Sequence, residues 1–363
     1  MAIEMQVRDQ TPMTDRSVGD VHFDDIVAAR HLLARLITPT PLVTHPLLSQ
    51  RLGAEVHVKL ENTVPLGSFK LRGGLNLLAS LTPQERARGL VTATRGNHGQ
   101  SLASAALQHD VRCVVFVPEG NNPDKNAAIS ALGATVRAAG TDFDAAWEAA
   151  LKYSEDTGLI AVHPSREPKL MAGYATVALE MLDQLTQPLD ALFIPVGGGS
   201  LAAGMGLVYN ALSPHTRLIG VQSAAAPALA RAWHSGELRE YPVGETLADG
   251  LAARTPSPDT LAILREVLDD LIEVSEAEIA AAIRGLAETV HQMAEGAGAA
   301  ALAGAMHLRR RIAGERIGVV LSGGNITAAQ LSQILHGELL PHAERAELLA
   351  AQLADMEYGA RGT

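Results

Sequence analysis

The amino-acid sequence predicts an α/β protein made of two doubly wound open-sheet domains. Strand-like and helix-like stretches alternate along almost the whole chain, a pattern typical of parallel sheets covered by helices. The 363 residues are enough for two domains with substantial hydrophobic cores. Hydrophobic residues make up 47% of the chain and aromatic residues only 3%, so we expect Ala, Leu and Val to fill those cores.

Nine short apolar stretches predict the buried strands of these sheets. In the first half of the chain the predicted strands are residues 56–60, 90–94, 111–117, 135–138 and 159–162. In the second half they are residues 191–196, 217–222, 271–274 and 316–321. We expect helices between successive strands in both series, as in a doubly wound sheet.

Turn residues divide the chain into the predicted domains. Leu81-Thr82-Pro83 and His163-Pro164 bound a compact small domain at residues 81–164. The other predicted segments are a flexible N-terminal arm at 1–20, a large domain formed by 21–80 together with 165–340, and a C-terminal helical tail at 341–363.

Charge and hydropathy argue against several functional classes. The net charge of -11 disfavours nucleic-acid binding, which requires positive potential along a phosphate backbone. No apolar run reaches the length of a membrane helix, and residues 1–20 have no signal-peptide pattern. We therefore expect a cytoplasmic protein with no membrane partner. The single cysteine, Cys113, lies in a predicted strand, which indicates a buried structural thiol and excludes an intrachain disulfide.

Lys70 is the most informative residue of the chain. It stands between Phe69 and Leu71, after a turn that contains Pro65 and Gly67. Burial at such a place lowers the pKa of a lysine, and a neutral amine can attack a carbonyl whereas an ammonium cannot. The setting indicates a nucleophilic lysine, although a solvated surface lysine is the commoner case.

Three loops that follow predicted strands supply further groups for a ligand. Gly197-Gly198-Gly199-Ser200 lets backbone N–H groups turn toward one anion at the start of a helix, where larger side chains would block the approach. Ser322-Gly323-Gly324-Asn325 and Arg95-Gly96-Asn97-His98 also combine small and polar residues after a strand. An ordinary strand-to-helix turn explains each loop alone, and only their combination indicates a ligand site.

The Lys70 segment and these three loops together resemble the pyridoxal-phosphate enzymes of fold type II, the tryptophan-synthase β-like group. The likeness is greatest to threonine/serine dehydratases and serine racemase, and it extends in the same order from about Ala28 to Asn325. It implies that pyridoxal 5′-phosphate is the cofactor and that the small domain is inserted into the large one. It also implies that the cofactor lies in the cleft between the domains, where ligands commonly bind.

The resemblance assigns roles to individual residues. Lys70 matches the lysine that forms the Schiff base with the cofactor and then takes the substrate Cα proton. Asn97 matches the residue that bonds the cofactor's 3′-oxygen, and Ser322 matches the serine that bonds its pyridine nitrogen. Phe69 is expected to pack on one face of the ring, and Glu295 matches an acidic residue near it. The cofactor phosphate is expected to bind at Gly197, Gly198, Gly199, Ser200 and Leu201.

Arg95 departs from the pattern of these relatives, which usually have Ser or Ala at this position. A guanidinium stays protonated and cannot act as the second base of a racemase, so we expect negligible racemase activity. Two roles fit its chemistry, a bidentate clamp on the substrate carboxylate or a contact to the cofactor's phenolate oxygen. The alternative is that Arg95 points to solvent or pairs with an acidic neighbour.

Two more departures concern metal binding and pocket shape. Relatives activated by Mg²⁺ or Ca²⁺ place a Glu and an Asp just after a strand, whereas the matching stretch, 220–228, has no carboxylate. We therefore expect no metal, and activity that chelation leaves unchanged. Leu66 replaces a common threonine, which favours an apolar pocket for a bulkier substrate such as phenylserine. The alternative interpretation is that Leu66 is simply buried behind the loop.

These features predict a lyase that converts an L-β-hydroxy-α-amino acid, by default threonine or serine, to a 2-oxo acid and ammonia by α,β-elimination. The alternative on the same fold is a β-replacement enzyme similar to cysteine synthase. A nucleotide-binding oxidoreductase is disfavoured because Gly197-x-Gly199 lies outside the first βα unit and the next strand ends in Gln222, not an acid. Dimers are usual among the relatives, so we expect a homodimer.

Overall fold

The computed structural model describes residues 17–337 of the chain. The predicted C-terminal helical tail and residues 1–16 of the predicted arm lie outside this range. Residues 17–20 of the arm are described and include a 3₁₀ helix, Val18–Asp20, whose first residue is buried. No helix within 17–337 combines the length and hydropathy needed to cross a bilayer.

Helices and strands alternate through the described residues. The helices are α1 (Phe23–Leu33), α2 (Pro46–Leu52), α3 (Lys70–Ser80), α4 (Pro83–Arg88), α5 (Asn97–Gln108), α6 (Pro123–Ala131), α7 (Phe143–Thr157), α8 (Pro168–Gln184), α9 (Ser200–Leu212), α10 (Ala228–Ser235), α11 (Pro258–Val267), α12 (Glu276–Thr289), α13 (Gly296–His307) and α14 (Ala328–His336). The strands are β1 (Leu42–Thr44), β2 (Glu55–Leu60), β3 (Leu90–Ala93), β4 (Cys113–Val117), β5 (Thr135–Ala138), β6 (Ile160–Ala161), β7 (Ala191–Pro195), β8 (Arg217–Ser223), β9 (Asp270–Val274) and β10 (Arg316–Leu321).

Six strands form the larger sheet, in the order β1-β2-β10-β7-β8-β9. All neighbouring strands are parallel except β1, which pairs antiparallel with β2 at the edge. Strands β10, β7 and β8 are buried along nearly their whole length. Continuous burial is expected of parallel strands that are covered by helices on both faces.

Four parallel strands form the second sheet, in the order β5-β4-β3-β6. In the chain, this sheet is inserted between β2 and β7 of the larger one. The predicted α/β fold with two open sheets is confirmed. The domain boundaries stay a prediction, which the insertion of one sheet within the other supports.

Helix α3 packs against elements that belong to both sheets. It contacts α5, which follows β3 of the small sheet, and α8, which precedes β7 of the large sheet. A Cβ atom on Gly73 would lie 2.3 Å from the Tyr174 ring, and one on Gly74 would lie 2.3 Å from Ser101 Oγ. This close packing fixes the first turn of α3, which begins with Lys70, relative to both sheets.

Some strand boundaries differ from the sequence prediction. The strand predicted at 111–117 begins at Cys113, because the Val111 N–H donates to Ala106 O (2.9 Å) and closes the end of α5. The strand predicted at 159–162 is reduced to two residues at the edge of the small sheet. Strand β1 was not predicted from the sequence. Its three residues lie between Pro41 and Pro46 and are too few to show an apolar pattern.

Candidate active site

A pocket lies between the two sheets, where strands β3, β7 and β10 end. Side chains and loops from both sheets line it. The carboxyl ends of parallel strands are a common place for ligand sites in open α/β sheets. Apart from Leu66, the site residues predicted from the sequence all line this pocket: Phe69, Lys70, Arg95, Asn97, Gly197, Gly198, Gly199, Ser200, Leu201, Glu295 and Ser322.

The segment before Lys70 is pinned to the loop after β10. The Phe69 N–H donates to Ser322 O (3.1 Å), and the Gly324 N–H donates to Gly67 O (2.9 Å). Gly67 has a φ of 69°, and a Cβ there would lie 2.7 Å from Asn325 Oδ1, so only glycine fits without displacement. These contacts hold Lys70 and Ser322, which are far apart in sequence, on the same side of the pocket.

The Lys70 amine lies beside two aromatic rings. Its Nζ is 4.8 Å from the centroid of Phe69 and 4.7 Å from that of Tyr174. The two rings contact each other edge to face, with centroids 4.9 Å apart. Burial lowers the pKa of Lys70 to about 8, and no carboxylate within residues 17–337 pairs with it to raise that value. The predicted depression of the lysine pKa by burial is confirmed, whereas Tyr174 gave no signal in the sequence.

The glycines after β7 leave no room for side chains. A Cβ on Gly198 would lie 2.5 Å from Ser165 Oγ, and one on Gly197 would lie 2.9 Å from Gly250 O. Gly199 has a φ of 87°, a conformation that favours glycine. Gly199 is also the N-cap of α9, and among the described residues no side chain caps this helix. The first N–H groups of α9 have no intrahelical partners, so they are available to an anion in the pocket.

Arg95 lies half-buried in the pocket wall at the end of β3. It forms no ion pair with any residue in 17–337, and its Nε is buried without a hydrogen-bond partner among them. Leaving a charged donor unpaired is costly, so this geometry supports a ligand contact over the alternatives of solvent exposure or pairing with an acid.

His98 is held neutral near the start of α5. Burial and the charge of Lys70 lower the pKa of its imidazole to about 3. One ring nitrogen, Nε2, lies 3.0 Å from Thr92 Oγ1, while Nδ1 is buried without a partner in the described part of the chain. A neutral imidazole with one anchored nitrogen is suited to positioning a neighbour.

A cluster of polar groups surrounds Asn97. The Asn97 amide donates to Glu295 Oε1 (2.5 Å) and accepts from Asn325 Nδ2 (2.8 Å). Glu295 thus lies in the pocket beside Asn97, and its place near the cofactor ring stays a prediction. Lys125 Nζ lies 2.6 Å from Asp249 Oδ2 and 3.7 Å from Glu295 Oε2. The sequence analysis overlooked Lys125, because nothing in its local sequence distinguishes it from a surface lysine.

The pocket residues fit a pyridoxal phosphate. An amine of lowered pKa can bond an aldehyde, and the side-chain-free loop with an uncapped helix N-terminus suits a phosphate. Ser322 Oγ, buried at the pocket, makes only one long hydrogen bond, to Ala297 O at 3.4 Å, and can bond a ring nitrogen instead. Four buried polar atoms at the pocket have no partner within residues 17–337: Arg95 Nε, His98 Nδ1, Ser257 Oγ and Glu295 Oε2.

The structure bears on two other predictions from the sequence, with different outcomes. Leu66 does not line the pocket. Its φ of 71° accompanies a side chain packed against the large apolar core, so the idea that Leu66 shapes the substrate pocket is wrong and the alternative of burial is correct. Cys113 is buried, and burial raises the pKa of its thiol to about 12, which confirms a structural thiol.

The stretch matched to the metal site of relatives is bound by a carboxylate from elsewhere in the chain. Glu276 accepts hydrogen bonds from Ser223 Oγ (2.7 Å), Thr246 Oγ1 (2.8 Å) and Leu247 N–H (2.6 Å). No group of three His, Cys, Asp or Glu residues within 17–337 is arranged to hold a metal ion. The lack of a metal requirement stays a prediction, as do the homodimer and the cytoplasmic location.

Comparison with known proteins adds to this geometry. A family described as pyridoxal-phosphate dependent enzymes matches residues 33–323. The chain is similar to the L-threonine ammonia-lyase of Geobacter sulfurreducens, with 37% identity over 89% of this chain and 80% of that protein. It is 35% identical to the catabolic L-threonine dehydratase of Escherichia coli, over 86% and 96% of the two chains. Among solved structures, threonine deaminase isoform 2 from Solanum lycopersicum matches with a TM-score of 0.80 and 31% identity, over 88% and 95% of the chains.

Proposed function

The chain belongs to the family of pyridoxal-phosphate dependent enzymes, and from this premise we propose that it is an ammonia-lyase acting on an L-β-hydroxy-α-amino acid. The reaction removes the Cα proton and the β-hydroxyl, and it ends in a 2-oxo acid and ammonia. Threonine and serine are the proposed substrates. The observation that supports this most strongly is the buried Lys70 amine, which shares one pocket with the side-chain-free loop at Gly197–Gly199.

The cofactor, when bound, supplies a sink for the electron pair that remains on Cα after proton loss. Lys70 is the residue placed to take that proton. With a pKa near 8, part of its amine is neutral at physiological pH, which a general base requires. The rings of Phe69 and Tyr174 limit where the amine can move, and this restriction favours proton transfer at a single atom.

Other pocket residues are proposed to bind the substrate and the cofactor and to orient them. Arg95 offers an unpaired guanidinium, which can hold the α-carboxylate of the substrate through two hydrogen bonds. The N-terminus of α9 is assigned to the phosphate, Asn97 to the 3′-oxygen and Ser322 to the ring nitrogen. A hydroxyl partner at Ser322 would leave the ring nitrogen of a bound cofactor largely unprotonated, which would favour loss of the β-hydroxyl over transamination.

The proposal is tested by measuring 2-oxo acid and ammonia released by the holoenzyme from threonine, serine, phenylserine and 3-hydroxyaspartate. We expect release from threonine or serine, and a fall to background in Lys70→Ala, because within residues 17–337 Lys70 is the pocket amine that lies beside the two rings. Lys152→Ala removes an exposed lysine of α7 and serves as the matched control, which should retain full turnover.

Two results would contradict this function. One is turnover that persists in Lys70→Ala. The other is the absence of 2-oxo acid from every substrate while serine and a thiol acceptor together give a β-substituted product, which would favour the β-replacement alternative. Faster release from phenylserine than from threonine would extend the substrate class to bulky side chains.

A further inference from the structure

Lys125 is a buried lysine of the pocket to which the elimination chemistry assigns no task. It lies in the first turn of α6, after strand β4 of the small sheet, and its side chain is only 10% exposed. Its aliphatic stem packs on Gly96, where a Cβ would lie 2.6 Å from Lys125 Cδ. Gly96 separates Arg95 from Asn97, so the lysine stem passes directly behind two residues of the site.

The ammonium of Lys125 lies near two carboxylates on elements that pack against the large sheet. It lies 2.6 Å from Asp249 Oδ2, in the 3₁₀ helix Asp249–Leu251, and 3.7 Å from Glu295 Oε2, at the N-cap of α13. Long buried lysine side chains are uncommon unless they are paired. The pairing therefore joins an element of the small sheet to two elements packed on the large sheet.

Glu295 connects this ion pair to Asn97. Its carboxylate lies over Gly323, where a Cβ would be 2.4 Å from Oε1. Oε1 accepts one hydrogen from the Asn97 amide, whose own oxygen accepts from Asn325 Nδ2. An amide nitrogen carries two hydrogens. One is used by Glu295, and the second remains for the 3′-oxygen of the cofactor as long as the carboxylate keeps the amide in this orientation.

The charge of Glu295 depends on its neighbours. Burial raises the pKa of its carboxyl to about 7, Lys125 opposes that rise, and Asp249 adds to it. Among the described residues, Lys125 from α6 and Asp249 from the 3₁₀ helix are the charged groups that face Glu295. The loop after β10 and the start of α5 present the uncharged amides of Asn325 and Asn97. Removing Lys125 would therefore leave a carboxyl that is buried, beside another acid, and protonated at neutral pH.

We propose that Lys125 is a positioning residue of the cofactor site, whose ammonium favours the ionised form of Glu295 and thereby holds the Asn97 amide with a hydrogen directed at the 3′-oxygen. The inference rests on cofactor binding in the pocket of the proposed function, and it is independent of which amino acid is the substrate. It also makes cofactor geometry depend on contact between elements of the two sheets, because Lys125 comes from one and Glu295 from the other.

The test is a double-mutant cycle on Lys125→Met and Glu295→Gln, with readouts that need no substrate. Methionine keeps the stem that packs on Gly96, and glutamine keeps an oxygen that can accept from Asn97 while carrying no charge. We measure the dissociation constant of pyridoxal phosphate and the pH dependence of the visible absorbance of the bound cofactor. Lys125→Met should raise the dissociation constant about tenfold, the effect of roughly one buried hydrogen bond. It should also move a spectral transition near pH 7 to higher pH by at least about one unit.

Measurements in the Glu295→Gln background show whether Lys125 acts through the charge of Glu295 or has only a structural role. If Lys125 acts through the charge of Glu295, Glu295→Gln abolishes the spectral transition, and adding Lys125→Met to it changes the dissociation constant less than twofold. Additive losses would show a structural role and overturn the proposal, as would a transition that persists in Glu295→Gln alone. The latter measurement stands even if Lys125→Met does not fold.

A matched control comes from another buried lysine. Lys59 pairs with Glu180 at 2.8 Å on the far side of α3 and does not line the pocket. Lys59→Met should lower the melting temperature and leave the spectral transition in place. Because absorbance and cofactor affinity are measured without substrate, loss of the lyase proposal alone would leave this inference unchanged, and the reverse also holds.

Discussion

Two clusters of buried charge flank helix α3, and they differ in how completely their polar atoms are paired. Behind the helix, Arg72 forms hydrogen bonds to Glu61 (2.7 and 2.8 Å) and to Glu180 (2.7 and 2.8 Å). Lys59 donates to Glu180, Gln184 and the Thr40 carbonyl, each within 2.9 Å. None of the side-chain atoms in this rear cluster is left buried without a partner.

The cluster in the pocket contrasts with it. Lys125 and Glu295 are also buried, yet Glu295 Oε2, Arg95 Nε and His98 Nδ1 find no hydrogen-bond partner within residues 17–337. Lys70 and Arg72 are two residues apart and therefore project from opposite sides of α3. On one side of α3 the buried charged groups therefore form a saturated network, in which every buried polar atom has a hydrogen-bond partner. On the pocket side the network is unsaturated, because some buried polar atoms have none among the described residues.

This difference in pairing distinguishes buried charged groups that stabilise the fold from those that are available to a ligand. A saturated buried network stabilises one arrangement of the chain, and removing one partner leaves an uncompensated charge. An unsaturated network costs folding free energy, and a bound ligand can recover that cost by supplying the missing partners. Pairing status, more than burial or charge count, is what distinguishes the pocket from the rear cluster.

Breaking the rear cluster should give the largest effect on stability. Arg72→Met leaves the buried carboxylate of Glu61 without its ion-pair partner, while Glu180 keeps Lys59, and we expect a loss of about 3 to 5 kcal/mol in the free energy of unfolding. Urea denaturation of the apoprotein measures this loss. A change below about 1 kcal/mol would mean that the rear network is not structural.

Removing Arg95 should affect ligand binding and leave stability almost unchanged, since this guanidinium has no partner to lose within residues 17–337. Arg95→Ser should raise the KM for the amino-acid substrate by about 10- to 100-fold, the effect expected from losing a bidentate charged contact. The cofactor absorbance should stay constant. An unchanged KM with a shifted cofactor spectrum would instead assign Arg95 to the phenolate oxygen.

Replacing Lys70 should change stability in the opposite direction. Its pKa falls from an ordinary value of 10.5 to about 8 in the folded apoprotein, so the fold disfavours its charged form. This destabilisation is complete below pH 8 and disappears as the pH rises from 8 to 10.5. Lys70→Met should therefore stabilise the apoprotein by about 3 kcal/mol at pH 7 and by little at pH 10.5.

Thermal and urea unfolding across this pH range measure the difference, with Lys152→Met as the exposed control, for which no gain is expected. A destabilised Lys70→Met at pH 7 would place Lys70 with the structural lysine, Lys59, and would contradict the comparison between the two clusters.

The parts of the site that sequence could predict are those with a local physical cause. Glycines after an apolar strand indicate a loop that approaches an anion closely, and Lys70 between apolar residues indicates burial; both features appear in the structure. Most strands were found because parallel strands are continuously apolar. β1 was not found, because a three-residue edge strand needs no such pattern.

The wrong inference about Leu66 has an equally specific cause. Leu66 has a φ of 71°, and its partly buried side chain packs against the large core and does not line the pocket. Backbone conformation at a residue that is not glycine leaves no mark in the sequence, because such residues adopt positive φ only where surrounding contacts compensate the strain.

The sequence by itself determined the two-sheet α/β fold, the family and the chemical groups available at the pocket, because strand burial, turn chemistry and residue type are encoded locally. Tertiary structure alone decided which charges are paired. Tyr174 reaches Lys70 from α8, and Lys125 reaches Glu295 from the other sheet. A pKa or an unsatisfied donor depends on every group within a few ångströms, and that neighbourhood exists only once distant segments have packed together.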